Sequence, residues 1–166
     1  MRKVKNWANN INEGKMLLKS VFENFAVIPL KYTANGQNIS PSLFVESIPE
    51  GTQSLVLIVD DPDAPKGTFV HWVVWNIAPT IRTISDGAPE LNQMHVKQGD
   101  NDAGQRNYFG PKPPPGKPHR YFFKIYALDL PVLNLPEGSS KAEVEKEIQG
   151  HILEKAEIVG IYQHPD

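Results

Sequence analysis

The run Ser54-Leu55-Val56-Leu57-Ile58-Val59 is apolar on both of its alternating faces. A strand with one wet face alternates apolar and polar residues, so a run without that alternation needs cover on both sides. It predicts a central strand, and Val70 to Ile77 has the same character. The loop between them, Asp60 to Thr68, is short enough to join antiparallel neighbours. If the two strands pair, the end of the first and the start of the second share one edge of the sheet. Asp61, Asp63 and His71 then lie close in space.

From Met16 onward, short apolar runs alternate with clusters of Gly, Pro, Asn and Asp, the pattern of a mainly β protein. A third strand is predicted over His119 to Leu128. Alternation puts His119, Tyr121, Phe123 and Ile125 on one face, and Arg120, Phe122, Lys124 and Tyr126 on the other. One helix is expected near the end. Ser140-Lys141-Ala142-Glu143 reads as a capping box, followed by Val144, Ile148 and Ile152 at four-residue spacing and Leu153 widening the stripe. Gly150 falls inside that stretch, at a cost of ~1 kcal/mol against alanine, and would let the helix approach the sheet closely. Ala156 to Tyr162 reads as a last strand. Residues 1–15 read as a polar, flexible extension, and residues 16–166 as a single domain.

Composition removes several function classes. The 166 residues suit one domain with a normal core, and a net charge of −2 offers no basic field for nucleic acid. The chain has no cysteine, so disulfides, thiolate metal sites and cysteine nucleophiles are out. No apolar stretch approaches the ~20 residues of a membrane span, and no secretory core follows the basic start Met1-Arg2-Lys3-Val4-Lys5. A cytoplasmic location is the expectation. The prolines are concentrated: Pro111, Pro113, Pro114, Pro115 and Pro118 crowd one loop, and Pro62 and Pro65 frame another. Fixed φ angles make such loops stiff, which suits a pre-formed binding wall.

The polar residues at the strand ends carry the chemistry. Singly, each has a structural explanation: a strand-end histidine packs or caps, and Asp61 and Asp63 around Pro62 are ordinary turn residues. Together with Tyr121 they converge on one sheet edge, as a binding site requires. No serine sits in a nucleophile elbow, no glycine loop for phosphates or dinucleotides is present, and no cofactor is called for. A metal site from Asp61, His71 and His119 is conceivable. Anion recognition is the natural alternative. Two imidazoles, a phenol and loop amides near Gly110 are donors, and Asp61 can orient one imidazole and favour its charged form.

These residues, in this order, resemble the phosphatidylethanolamine-binding protein family, which includes the Raf kinase inhibitor proteins, and its bacterial and archaeal branch in particular. The resemblance rests on Tyr32-Thr33-Ala34-Asn35-Gly36 with Ile39-Ser40-Pro41, and on Val59-Asp60-Asp61-Pro62-Asp63-Ala64-Pro65. It continues through Val70-His71-Trp72-Val73-Val74, Tyr108-Phe109-Gly110-Pro111, Pro113-Pro114 and His119-Arg120-Tyr121. Gly150-His151-Ile152-Leu153 running to Val159-Gly160-Ile161-Tyr162 completes it, and coverage extends from about Met16 to the end.

The resemblance implies a large antiparallel β-sheet packed on a smaller sheet, with a C-terminal helix followed by a last strand. It also implies a small sheet-edge pocket for phosphate or a phosphoryl head group, formed by Asp61, Asp63, Pro65, His71, Gly110, Pro113, His119 and Tyr121. The Ala64–Pro65 bond is expected to be cis, as in relatives, since proline lowers the cis penalty to ~1 kcal/mol. Ala34 and Lys112 stand where this branch often has cysteine, so a redox role there is absent, and Lys112 adds a cation beside the pocket. Three activities are then in play. The leading one is a non-enzymatic binding protein for a phosphoethanolamine-like anion that modulates a protein partner. The others are inhibition of a protease or kinase through the rigid proline loop, and metal-dependent phosphoester hydrolysis.

Overall fold

The computed structural model describes residues 14–165. The extension expected over residues 1–15 therefore lies, up to residue 13, outside the described residues. Among the described residues, nine strands form two sheets. The smaller sheet joins β1 (Leu17–Ser20), β3 (Leu43–Glu46) and β6 (Thr83–Ile84) in the order β1-β3-β6. The larger one contains β2 (Ala26–Val27), β4 (Ser54–Asp61), β5 (Phe69–Ile77), β7 (Lys97–Gln98), β8 (His119–Leu128) and β9 (Ile152–Tyr162), in the order β2-β9-β8-β4-β5-β7. It is antiparallel except at one edge, where β2 runs parallel to β9. The mainly β, two-sheet architecture is thus as expected, and only the edge strand departs from a fully antiparallel sheet.

Every residue of β4 is buried, as its unbroken apolar run requires. Leu55, Leu57 and Val59 face the smaller sheet and share a core with Leu18, Leu43, Val45 and Ile84. Val56 and Ile58 point the other way, into a second core with Val73, Trp75, Leu133, Val144 and Ile148. The last two belong to α1 (Lys141–Ile148), which covers this second face. β8 follows the predicted alternation. Tyr121, Phe123 and Ile125 enter the first core, Tyr126 joins the second, and Arg120 is exposed.

The capping box of α1 is formed: Glu143 N–H donates to Ser140 Oγ (3.1 Å) and Ser140 N–H donates to Glu143 Oε1 (3.0 Å). The helix is shorter than its apolar spacing suggests. It stops at Ile148, and Gly150 follows the end with φ +84°, a left-handed conformation that a glycine adopts without strain. Gly150 is therefore a terminator, with open space where a Cβ would be. Ile152 and Leu153 belong to β9 and are over 40% exposed, so the final strand starts four residues earlier than its apolar part indicates. Replacing Ser140 by alanine should cost about 1 kcal/mol in urea unfolding, whereas Gly150→Ala should cost a similar amount through backbone strain alone.

Candidate functional site

β4 ends in two adjacent carboxylates that a strand must send to opposite faces. Asp60, 2% exposed, goes to the helix side, where Lys124 Nζ (3.1 Å) and Lys141 Nζ (2.6 Å) both donate to its Oδ2. Asp61, 3% exposed, goes to the other side. Its Oδ1 accepts the Asp63 N–H (2.7 Å), closing the turn around Pro62, and its Oδ2 accepts from His119 Nδ1 (2.7 Å). Since a carboxylate only accepts, the hydrogen of the neutral His119 ring lies on Nδ1, and Nε2 is left over.

His71 reaches the same face through an irregularity. Val59 pairs with Trp72 and Asp60 with Val70, so His71 is the extra residue of a β-bulge. Strict alternation from Trp72, which packs in the first core, would turn His71 towards the helix side. The bulge reverses this: Val70 packs against the second core, and His71 joins the side of Asp61 and Tyr121. Phe109 holds the bulge from both ends, its N–H donating to the His71 carbonyl (3.1 Å) while His71 Nδ1 donates to the Phe109 carbonyl. The rings of His71 and Phe109 are stacked, 5.7 Å apart and inclined by 12°. Asn101 fixes the neighbouring loop: its Nδ2 donates to the Asn107 carbonyl (2.7 Å), and its Oδ1 accepts from Ala103 and Gln105 N–H (3.0 Å each).

These elements enclose a cavity of about 310 Å³ lined by Asp61, Ala64, Pro65, Phe69, His71, Asp102, Ala103, Phe109, Lys112, Pro113, Pro114, His119 and Tyr121. Its walls are chiefly proline and aromatic rings. The Tyr121 ring meets His71 edge-on at 5.3 Å and lies nearly parallel to His119 at 6.4 Å. Burial, with the nearby carboxylates adding to it, pushes the Tyr121 phenol far above its ordinary value, so the hydroxyl keeps its hydrogen. Burial lowers the basicity of His71, outweighing the Phe109 carbonyl and the charges of Asp61, Asp60 and Asp102, and the ring is neutral at pH 7. Among the described residues, the buried polar side-chain atoms without a partner are Trp75 Nε1 and His164 Nδ1. His71 and His119 both line the cavity, and with Nδ1 engaged in each, Nε2 is the ring nitrogen without a protein partner. Trp72 and Tyr108, next in sequence to His71 and Phe109, line a separate open groove of about 830 Å³ that none of the expected site residues enters.

Six of the eight expected residues, Asp61, Pro65, His71, Pro113, His119 and Tyr121, line the cavity. Asp63 and Gly110 do not. Asp63 is taken up by Arg120, accepting its backbone N–H (3.0 Å), Nε (2.9 Å) and Nη2 (2.9 Å). Gly110 donates its N–H to Asn38 Oδ1 (2.7 Å), so that amide is not free for an anion. An added Cβ there would lie 2.5 Å from the Tyr32 carbonyl oxygen, which makes the glycine a site of close backbone approach. No peptide bond among the described residues is cis, in contrast to the expectation for Ala64–Pro65. The reason is local: Gly67 N–H donates to the Ala64 carbonyl (3.1 Å), giving a turn with Pro65 in its second position, which a trans proline fits. Nor do Asp61, His71 and His119 form a ligand set. Both Asp61 oxygens are engaged, and no group of three or more His, Asp or Glu side chains among the described residues is arranged to hold a metal ion. Phe69 and Phe109 were not among the expected residues. Phe69 opens the same strand as His71, and Phe109 lies within the Tyr108-Phe109-Gly110-Pro111 segment.

The fold is thus a two-sheet β architecture with a cavity at the carboxyl end of its central strand. Residues 18–163 match the family model described as phosphatidylethanolamine-binding protein. This chain belongs to the phosphatidylethanolamine-binding protein family. A UPF0098 protein of Pyrococcus horikoshii is 48% identical over 158 residues, covering 91% of this chain and 79% of the relative. A UPF0098 protein of Aquifex aeolicus is 48% identical over 144 residues, covering 86% and 84%. Among solved structures, Escherichia coli YbcL superposes with a TM-score of 0.84 at 31% identity. A phosphatidylethanolamine-binding protein homolog of Chlamydia trachomatis does so with 0.83 at 39%, and each covers 91% of this chain and 99% of its own. No helix among the described residues is long and apolar enough to cross a membrane.

The Asp63–Arg120 clamp has a measurable signature. Hydrogen bonding to Arg120 holds the Asp63 carboxyl at about 2, below its ordinary 3.8. A depressed carboxyl stabilises the fold above the unfolded-state value, and this contribution fades as pH falls from about 4 towards 2. With Arg120 about half exposed, solvent screening limits it to roughly 1 kcal/mol. Urea unfolding of Asp63→Asn should show about that loss at pH 7 and a much smaller one near pH 2.5.

Proposed function

We propose that this protein is a non-enzymatic binding module whose cavity takes phosphate or a phosphoethanolamine-like head group, and that it thereby modulates a protein partner. One observation carries the reading. Two imidazoles that line a single cavity have Nδ1 committed to fixed acceptors, which leaves Nε2 as the uncommitted ring nitrogen, beside a hydroxyl that keeps its hydrogen. Lys112, exposed at the rim, supplies the cation. The family description, which names phosphatidylethanolamine, points to the same ligand chemistry. The cytoplasm is the compartment proposed with it.

Titration with inorganic phosphate or phosphoethanolamine should shift the imidazole NMR signals of His71 and His119, and unmoved signals at both would sink the proposal. Affinity should fall as pH rises from about 6 to 8, since the bound state holds a proton that histidine and phosphomonoester both release in that range. A flat profile would count against proton involvement.

A second reading rests on the proline loop, whose tip from Pro114 to Pro118 is exposed at the cavity wall while Pro111 and Pro113 are buried. A pre-stiffened, exposed segment of this kind suits insertion into a protease or kinase cleft at little further entropic cost. Micromolar protein should then lower the activity of a panel of serine proteases or kinases, and full activity throughout would remove this reading.

A further inference from the structure

We infer that the open groove beside β7 is a docking surface for an extended, uncharged peptide segment of a protein partner, whose backbone amides are read by side-chain carboxamides. The partner is the one proposed in general terms above, so the surface depends on that part of the reading, and the anion cavity takes no part in it.

The groove of about 830 Å³ lies behind the cavity wall: His71 and Phe109 line the cavity, whereas their neighbours Trp72 and Tyr108 line the groove. The wall is fixed, since the Trp72 and Tyr108 rings meet edge-on at 5.4 Å and the Tyr108 hydroxyl donates to the Tyr32 carbonyl (2.7 Å). Five carboxamides, Asn38, Asn92, Gln93, Gln98 and Asn107, line this groove. Two of them are set in one sense by the fold. An indole N–H can only donate, so Gln98 Oε1 accepts from Trp72 Nε1 (2.8 Å), and Gln98 Nε2 has no protein partner among the described residues. Asn38 Oδ1 accepts the Gly110 N–H (2.7 Å), which leaves its Nδ2 in the same position. Arg106 binds Asp100 through Nε (2.9 Å), and Glu137 accepts the Gln98 N–H through Oε2 (3.2 Å), leaving its Oε1 as an acceptor.

Arg106 and Glu137 contribute one charge of each sign, so the lining holds no excess charge for an ion. It matches a ligand that is neutral and offers acceptors and donors in repetition, as a peptide backbone does with one C=O and one N–H per residue. A sugar is also neutral, but Trp72 and Tyr108 are 2% and 8% exposed, and neither presents a ring face to stack on. Leu91, Met94 and Val96 give apolar side chains a place to rest, and Met94, 96% exposed, is a pliable one. Strand addition is not the mode. The Gln98 N–H is taken by Glu137 and its carbonyl accepts the Gly138 N–H (2.9 Å), so a peptide cannot extend the sheet from Gln98 of β7. Recognition falls to the side chains.

The test selects a display library of random heptapeptides against the full chain and titrates an enriched sequence, with capped ends, into nitrogen-15-labelled protein. The Trp72 indole and the carboxamide signals of Asn38 and Gln98 should shift, and more than any signal of His119. No enrichment, or shifts centred on His119 and Lys112, would overturn the inference, and the separate phosphate titration leaves the anion reading standing in either case. Maltopentaose binding to the groove more tightly than the peptide would also overturn it. Gln98→Glu keeps the acceptor for the Trp72 indole and removes the amide donor, so peptide affinity should fall roughly tenfold. Unchanged affinity would defeat the carboxamide role. Asn38→Asp makes the same exchange while keeping the acceptor for Gly110, and it decides the matter if Gln98→Glu does not fold.

Discussion

The bulge at His71 is the constraint on which the site depends. In a regular β5 ladder, Trp72 would keep its place in the core and His71 would point into the helix-side core, among Val73 and Trp75. One extra residue opposite Val59 and Asp60 lets two consecutive side chains face the same side. Trp72 then packs under the smaller sheet while His71 enters the cavity. The irregular backbone is satisfied by Phe109, which closes a reciprocal pair of hydrogen bonds with His71. Those bonds also fix the tautomer, so a backbone irregularity determines the hydrogen-bonding sense of the ring.

The end of β4 performs a complementary task by distributing two carboxylates. Asp61 orients His119 and closes the turn around Pro62. Asp60, on the opposite face, receives both Lys124 and Lys141, and Lys141 opens α1. The strand end is thereby anchored from the helix side by charge pairs whose members are largely buried. Desolvating such charges is costly, so their value lies in fixing one arrangement more than in net stability. The cavity floor inherits that fixed arrangement.

Much of this was legible in the chain. The unbroken apolar run of β4 announced a doubly covered strand, alternation in β8 placed His119 and Tyr121 on one face, and Ser140 to Glu143 gave the start of α1. What escaped has physical causes. A bulge leaves no compositional mark, so His71 was predicted near Asp61 without a reason for its side chain to face that way. Asp63 looked like a ligand because it flanks the motif, yet Arg120, adjacent to His119, claims it through three hydrogen bonds. Gly110 was read as a source of free amides, whereas its close approach to residues 32–38 consumes its N–H. Both placements depend on long-range partners, which local sequence does not display. The apolar stripe past Ile148 misled for a different reason: Ile152 and Leu153 are apolar but exposed on β9, and Gly150 between them and α1 resets the backbone.

The electrostatics of the recess set what kind of binding it can support. Asp61 and Asp102 line it with Lys112, and His71 is neutral, so no strong positive field draws an anion in. On the proposed anion-binding reading, a recess with little excess positive charge recognises its ligand through the direction of each hydrogen bond. Proline walls and stacked rings hold those directions without further ordering on binding, which lowers the entropic cost. For the proposed anion, rigid walls and the direction of each hydrogen bond then count for more than net charge.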